Sequence, residues 1–307
     1  MSSIMTNNAA MTALRTLEAT SKALESTQGR ISTGYRVADA SDNAAYWSIA
    51  TTMRSDNKSL GTVQDALGLG SAKLDVAYTG VNSAIDVVDE IKSKLVAARE
   101  PGVDKTKIQS EIGQLQSQLT SIAGSASFSG ENWLSVDSSA ATYAATKSIV
   151  ASFNRDSAGA VSVGTIDIDT TTVALFDANA TASGILDTTF TTTGAGAVTV
   201  GVNNLDLTAA GIDTTDIDDM ITNVDAVISS MTTAASDLGA AKNRISIQTN
   251  FVSNLMDAID RGVGQLVDAD MTEESTRLQA LQTQQQLGIQ SLSIANSSTQ
   301  NMLALFR

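Results

Sequence analysis

Apolar residues recur every seven positions along both flanks of this 307-residue chain. In the N-terminal flank the row has seven aliphatic or methionine members, which are Met53, Leu60, Leu67, Leu74, Val81, Val88 and Leu95. Because every seventh residue of a helix returns to nearly the same face, a sustained apolar heptad is typical of a coiled coil. The pattern predicts a long helix over residues 44–98, which the pair Pro101-Gly102 stops.

The C-terminal flank carries a matching apolar row. Its members are Ile217, Val224, Met231, Leu238, Ile245, Val252 and Ile259. The Asp and Thr residues at 213–216 are suited to cap the start of this helix. Matching seams at opposite ends of one chain predict that the two long helices pair with each other, antiparallel. A shorter helix is predicted over residues 108–122, where apolar residues alternate in steps of four and three.

The two ends of the chain are also helical in pattern, but their apolar residues lie on more than one face. The N-terminal stripe drifts round the helix and consists of Ile4, Met11, Leu14, Leu17, Leu24 and Ile31. The C-terminal seam consists of Leu278, Leu281, Leu292, Ala295, Met302 and Phe306, with further apolar residues outside it. One partner helix cannot cover such surfaces. We therefore expect the terminal helices to bury the remainder against other copies of the chain, in a ring or an open filament.

The middle zone, residues 137–214, has a different character. It contains 15 Thr and 7 Gly, with alternating runs such as Thr165 to Asp169 and Val198 to Val202, which indicate short strands. Residues 141–153 could form a short helix ahead of them. The predicted fold is mainly α with a small β-rich (α+β) insertion, built on long antiparallel coiled-coil helices from both termini.

The composition excludes several classes of function. The chain has no His and no Cys, which excludes Ser–His–Asp and Cys–His catalysis, Cys/His metal sites and disulfides. Carboxylate-only chemistry remains open. The net charge of −14 disfavours a nucleic-acid coat. No apolar run is long enough to span a membrane, and residues 1–8 lack the features of a general secretory signal. We expect no enzymatic activity, cofactor or metal.

Several collinear motifs resemble one family, bacterial flagellin. They are Ser32-Thr33-Gly34-Tyr35-Arg36-Val37, Ala40-Ser41-Asp42-Asn43-Ala44-Ala45, Phe128-Ser129-Gly130-Glu131-Asn132-Trp133-Leu134, Leu238-Gly239-Ala240-Ala241-Lys242-Asn243-Arg244-Ile245 and Asp268-Ala269-Asp270-Met271-Thr272. The run from Val37 to Ala50 is most similar to flagellins of soil and plant-associated alphaproteobacteria, the rhizobial type. Only the middle zone carries no family motif.

The resemblance implies an architecture and a function. Residues 1–35 and 270–307 are expected to form a terminal coiled-coil inner core. Residues 36–136 and 215–269 are expected to form a helical outer core with a β-hairpin near 128–136, and residues 137–214 a variable, surface-exposed β-rich domain. The subunit would be exported unfolded by the flagellar type III system, secreted, and polymerised into the filament for swimming motility. Implied partners are copies of itself, sister flagellins, the hook–filament junction protein, the filament cap and an export chaperone.

Other function classes remain open at this point. A hook–filament junction protein would have terminal helices of the same kind. A cytoplasmic coiled-coil scaffold with a β insertion would explain the heptads but not the uncovered apolar ends. An enzyme that uses only carboxylates would have to work in the middle zone, where eight Asp are scattered without a pocket motif.

The resemblance also marks positions that immune receptors read in the family. Asn43 stands where an acidic residue is usual in the segment perceived by plants, and Tyr46 and Trp47 replace smaller residues. Ser93 and Lys94 stand where the animal receptor reads an Arg-Glu pair. We expect weak recognition by both receptors, because the charge-assisted partners are lost or reversed.

Overall fold

The computed structural model describes residues 7–156, 158–179 and 184–305, with side chains up to residue 297. The described residues form five α-helices: α1 (Asn8–Thr33), α2 (Ala44–Ala98), α3 (Lys105–Ser125), α4 (Thr214–Val267) and α5 (Met271–Leu305). The chain divides into two compact units. Unit 1 comprises Met1–Lys58 with Met256–Arg307, and unit 2 comprises Ser59–Leu255. The predicted fold class is confirmed, since long helices from both flanks frame a small strand-rich insertion.

Side-chain caps set the helix boundaries. The Asn7 side chain accepts from the Ala10 amide at the start of α1, and Gly34 ends that helix in the left-handed conformation, with φ 76°. At the start of α2 the Asn43 carboxamide accepts from the amides of Ala45 and Tyr46, each at 3.1 Å. The predicted bounds of α2, 44–98, match the helix observed.

Within unit 2, α2 and α4 run antiparallel with their heptad rows buried. Three ion pairs tie the helices in one constant register: Asp75–Lys242 (2.6 Å), Lys92–Asp225 (2.5 Å) and Arg99–Asp218 (2.5 Å). A step of seven residues along α2 thus corresponds to seven residues back along α4. Helix α3 adds buried Ile112 and Leu119 to this core.

Between α3 and α4 the described residues form four two-stranded sheets. The first is a hairpin of β1 (Ser127–Phe128) and β2 (Glu131–Asn132). Strand β3 (Ser135–Val136) pairs in parallel with β6 (Phe176–Asp177), and the long strands β4 (Thr146–Arg155) and β5 (Val161–Asp169) pair antiparallel. A short β7–β8 pair, Phe190–Thr191 with Thr199–Val200, completes the described strands.

The short helix suggested for residues 141–153 is wrong, because most of that segment belongs to β4. Ile149 and Ala151 of this strand are buried. Ile149 lies over Gly70 of α2, where a Cβ atom would come 2.5 Å from Ile149 Cγ2. Gln248 of α4 donates to the Ala151 carbonyl at 2.9 Å. Pairing with β5 and packing on both long helices therefore outweigh the local helix propensity of an Ala-containing segment.

Candidate self-association surface

Helices α1 and α5 of unit 1 form an antiparallel pair. At one end Asn7 Nδ2 donates to the Ala295 carbonyl at 2.9 Å, and at the other Arg30 and Glu274 form an ion pair at 3.1 Å. Half-buried side chains from the predicted sets line the seam between them: Leu17, Leu24, Ile31, Leu278, Leu281, Leu292 and Ala295.

The centre of this seam is small and polar. The buried residues among those described on α1 and α5 are Ala13, Thr20, Thr27 and Glu274. The Thr20 hydroxyl donates to the Thr16 carbonyl within its own helix at 2.8 Å, so burial leaves it satisfied. Small residues let the helices approach closely, and they bury little apolar area. The pair therefore has a weak hydrophobic core of its own.

Large apolar side chains lie outside the seam. The most exposed on these helices are Met11, Leu14, Leu287, Ile289 and Ile294, at 46% to 68% of their full accessible area. Beside them, a groove of about 840 Å³ runs between α1 and α5 and is lined mostly by small or polar residues, including Ala9, Ala13 and Gly288. Of the other predicted positions, Ile4 and Phe306 lie outside the described residues. Met302 lies on α5, and its side chain is also outside them.

The two connectors of unit 1 bind each other. Tyr35 and Asp268 form an antiparallel bridge, and the Ala269 amide donates to the Gly34 carbonyl at 2.9 Å. The Arg36 guanidinium donates to the Leu266 carbonyl at 2.9 Å and so caps the C-terminal end of α4. The chain thus passes from α1 to α2 and from α4 to α5 at one shared, hydrogen-bonded point.

The predicted intrachain seam residues occupy the interiors of their units. In unit 1, half-buried Met53 and Ile259 pack on a cluster of Val37, Ala50, Val263 and Val267. In unit 2 the remaining predicted members are at most 3% exposed, and they are Leu60, Leu67, Leu74, Val81, Val88, Leu95, Ile217, Val224, Met231, Leu238, Ile245 and Val252.

A charged contact lies at the edge of this apolar seam. The Lys242 ammonium binds the Asp75 carboxylate at 2.6 Å and lies 5.9 Å from the centre of the Tyr78 ring. The hydrogen bond to Asp75 raises the pKa of Lys242 above its usual value. Together with the two other ion pairs between α2 and α4, it favours the observed register of the helices.

Sequence reasoning missed a carboxylate clamp at the start of α4. Asp219 accepts from the Thr193 amide and hydroxyl, at 2.6 and 2.7 Å. Fully buried Asp216 accepts from the amides of Gly196 (3.0 Å) and Asp213 (3.1 Å). A hydrogen bond from the Thr192 side chain, with these amide bonds, lowers the pKa of Asp216 to about 2. From the sequence Asp216 was visible only as a possible helix cap and Asp219 was not singled out, because their partners Gly196 and Thr193 lie 20 and 26 residues upstream.

Of the positions compared with immune-receptor segments, Asn43 and Lys94 make specific contacts and the others are exposed. Asn43 caps α2, while Tyr46 and Trp47 stand half-exposed in its first turn. Ser93 is exposed on α2. Lys94 binds Glu111 of α3 at 2.7 Å and Glu90 at 3.4 Å, and the hydrogen bond to Glu111 raises its pKa. Weak receptor recognition stays a prediction.

The carboxylates at the start of α5 cap this helix and bind α1. Asp270 accepts from the amides of Thr272 and Glu273, at 2.8 and 3.2 Å, as an N-cap. Buried Glu274 binds Arg30, and it also lies 3.4 Å from Arg277. The described residues contain no cluster of three or more potential metal ligands, and none of their helices is long and apolar enough to cross a membrane.

Comparison with known proteins places these features in a family. The profile of the bacterial flagellin N-terminal helical region matches residues 4–139, and that of the C-terminal helical region matches residues 221–306. Flagellin C of Rhizobium meliloti (strain 1021) is 57% identical over the whole of both chains, and a flagellin of Brucella melitensis is 46% identical over the whole of both. A crystal structure of Bacillus cereus flagellin aligns with a TM-score of 0.41 and 18% identity, over 62% of this chain and 88% of that one.

The fold and these matches define a structural protein that assembles with itself. More particularly, the chain belongs to the bacterial flagellin family, in its rhizobial type. It is a subunit of the bacterial flagellar filament, in which copies of the chain and sister flagellins polymerise for motility.

Proposed function

We propose that copies of this chain meet in the filament through the exposed face of the α1–α5 pair. The observation that carries the proposal is the inversion of the usual burial pattern. Thr20 and Thr27 are buried in the seam, whereas Met11, Leu14 and Ile294 are about half exposed or more. In a helix pair that functions as a monomer, the large apolar residues would lie in the seam between the helices.

The exposed side chains of this face provide a hydrophobic driving force for assembly. Fully burying a side chain such as Leu, Ile or Met is worth about 1.5–3 kcal/mol, and five such residues are largely exposed on the pair. The groove between α1 and α5, of about 840 Å³, offers space for side chains of a neighbouring helix. Because every copy carries the same face and groove, contacts between them repeat from subunit to subunit and propagate a helical assembly.

A pair of substitutions on α5 tests the proposal. Ile289→Asn and Ile294→Asn together remove two exposed apolar side chains and leave the seam residues in place. Helical content should be unchanged, because both sites face solvent in the free chain. The double variant should stay monomeric, in sedimentation and electron microscopy, at concentrations at which the wild type forms filaments. Gln290→Asn, at an exposed polar neighbour, is the matched control and should polymerise normally. Normal filaments from the double variant would overturn the proposal.

The parts of the chain are assigned accordingly. Residues 1–35 and 270–307 form the inner, terminal coiled-coil layer of the filament, and residues 36–136 and 215–269 form the layer around it. Residues 137–214 form the variable domain that faces solvent. A chain without residues 1–35 and 270–307 should then remain folded and soluble and should not polymerise, as gel filtration and electron microscopy would show.

We further propose that the chain is exported unfolded by the flagellar type III system, acts outside the cell and has no enzymatic activity. The absence of Cys supports this route, because no cross-linked loop can hinder threading. The junction protein, the filament cap and an export chaperone are the proposed further partners. Shearing of motile cells should release a protein of 31.8 kDa into the supernatant. Its retention in the cytosol would contradict the proposal.

A further inference from the structure

All the side-chain sulfur of this chain is in methionine, since the sequence has nine Met and no Cys. Hydrogen peroxide converts the methionine thioether to a sulfoxide. The sulfur lone pair takes one peroxide oxygen, the O–O bond breaks, and the departing hydroxide receives the proton of the transferred oxygen. Sulfoxide and water are the products, so the sulfur loses the two electrons that the peroxide gains. Because peroxide must reach the sulfur, exposure decides which methionines react first.

Two of the methionines whose side chains the structure describes are open to solvent, to almost the same extent. Met11 of α1 is 46% exposed and Met271 of α5 is 45% exposed. Met220 and Met231, in contrast, are 0% exposed in the interior of unit 2. The other two methionines with described side chains, Met53 and Met256, are half-buried. Peroxide should therefore oxidise Met11 and Met271 readily, and Met220 and Met231 slowly.

The two exposed methionines differ in their surroundings. Met11 belongs to the exposed apolar face of the α1–α5 pair, and Leu14, one turn further along α1, is 47% exposed beside it. This part of α1 lies near the end of the pair at which Asn7 binds the Ala295 carbonyl. Met271 is the first residue of α5 and so lies at the opposite end of the pair. Of these two residues, only Met11 is part of the face proposed for assembly.

We propose that Met11 is an oxidation site through which hydrogen peroxide blocks the self-assembly of this chain. The inference rests on the proposed function, because a sulfoxide at Met11 opposes assembly only where the α1–α5 face is buried between copies. The sulfoxide replaces an apolar thioether by a polar acceptor, and burial of that acceptor without a donor is unfavourable. The free chain keeps its fold, because Met11 is already half-exposed there. In the filament Met11 is covered and resists oxidation.

Peroxide treatment of the full-length monomer tests the inference. Met11→Leu and Met271→Leu are matched variants, because the two sites are equally exposed and Leu keeps the apolar volume of Met. Untreated, both variants should polymerise like the wild type. After treatment, the critical concentration for assembly should rise about tenfold or more in the wild type and in Met271→Leu. Met11→Leu should stay near its untreated value.

Two further measurements use the same samples. Reduction by the two methionine sulfoxide reductases, one for each sulfoxide epimer, should restore assembly of the treated wild type. Peptide mass spectrometry should find less sulfoxide at Met11, by several-fold, when preformed filaments receive the same dose of peroxide as the monomer. Circular dichroism of the treated monomers checks that oxidation leaves them folded.

The outcomes separate this inference from the proposal on which it rests. A treated Met11→Leu variant that loses assembly as completely as the wild type would overturn the inference. So would a wild type that polymerises normally with Met11 fully oxidised. The untreated double variant Ile289→Asn with Ile294→Asn reports on the α1–α5 face without oxidation, and its normal polymerisation would overturn the proposed function instead.

Discussion

Arg30 and Glu274 join α1 to α5 by an ion pair at 3.1 Å, with the glutamate 5% exposed. The carboxylate lies in the seam between two helices that otherwise bury mainly small side chains, so this pair is a major specific tie between the terminal segments. Arg277 approaches the same carboxylate at 3.4 Å. The charge of Glu274 is thus balanced from both helices.

Removing that carboxylate should loosen the terminal pair. Glu274→Ala leaves Arg30 without its partner and should cost about 1–3 kcal/mol. Hydrogen exchange of α1 amides in the monomer should quicken. Glu273→Ala is the control, since Glu273 is exposed and binds only Arg277 of its own helix among the ion pairs described. Equal exchange rates in the two variants would contradict this account.

Two glycines on α2 should respond oppositely to alanine. At Gly80 a Cβ atom would come 2.5 Å from Leu134 Cδ1, so Gly80→Ala should destabilise the chain by about 1–3 kcal/mol. At Gly68 nothing lies within 4 Å of the added atom, so Gly68→Ala should stabilise it by about 0.5–1 kcal/mol through helix propensity. Urea unfolding measures both. A Gly80→Ala variant that is not destabilised would contradict the Leu134 contact, and a destabilised Gly68→Ala variant would contradict the open space at Gly68.

Asp216 should make the free energy of unfolding decrease at acid pH. Its pKa in the folded chain is about 2, below the ordinary 3.8. The stabilisation is therefore fully present above pH 3.8 and is lost as the pH falls from there through 2. Asp216→Asn should lower the thermal midpoint clearly at pH 5 and much less at pH 2. Asp237→Asn, at an exposed residue of α4, should show no such convergence.

Recognition by plant and animal receptors should be weak. A peptide of residues 29–50 should elicit little oxidative burst in leaves, because Asn43, Tyr46 and Trp47 depart from the recognised pattern. In a reporter-cell assay the chain should be poorly active, since Lys94 is positive and is already bound to Glu111. A full burst at low dose, or potency equal to an enteric flagellin, would refute the respective expectation.

The long helices were predictable because their signal is local and repeated. The heptad row, the absence of internal Pro and the stop at Pro101-Gly102 predict α2 from the sequence alone, whereas its cap at Asn43 is seen only in the structure. The seam residues of α1 were not predictable in this way, because the pattern of large apolar residues puts Met11 and Leu14 in one stripe with Leu17. In the structure Ala13, Thr20 and Thr27 occupy the centre instead.

For the insertion, only its β-rich character was predictable from the sequence. Alternation indicated strands, yet the identity of β4 depends on Gly70, about 80 residues before it, and on Gln248, 97 residues after Ala151. The clamp of Asp216 and Asp219 on the β7–β8 turn likewise depends on tertiary contacts. Local pattern can show that an aspartate caps a helix, and it cannot show which loop that aspartate holds.

The central claim is that the exposed apolar face of α1 and α5 is buried between copies. Hydroxyl-radical footprinting of wild-type monomer and filament, read by mass spectrometry, tests it residue by residue. Labelling of Met11, Leu14, Leu287, Ile289 and Ile294 should fall strongly in the filament. Val161 and Val163, exposed on the insertion, should label equally in both states. Unchanged labelling of the α1 and α5 residues in intact filaments would contradict the account.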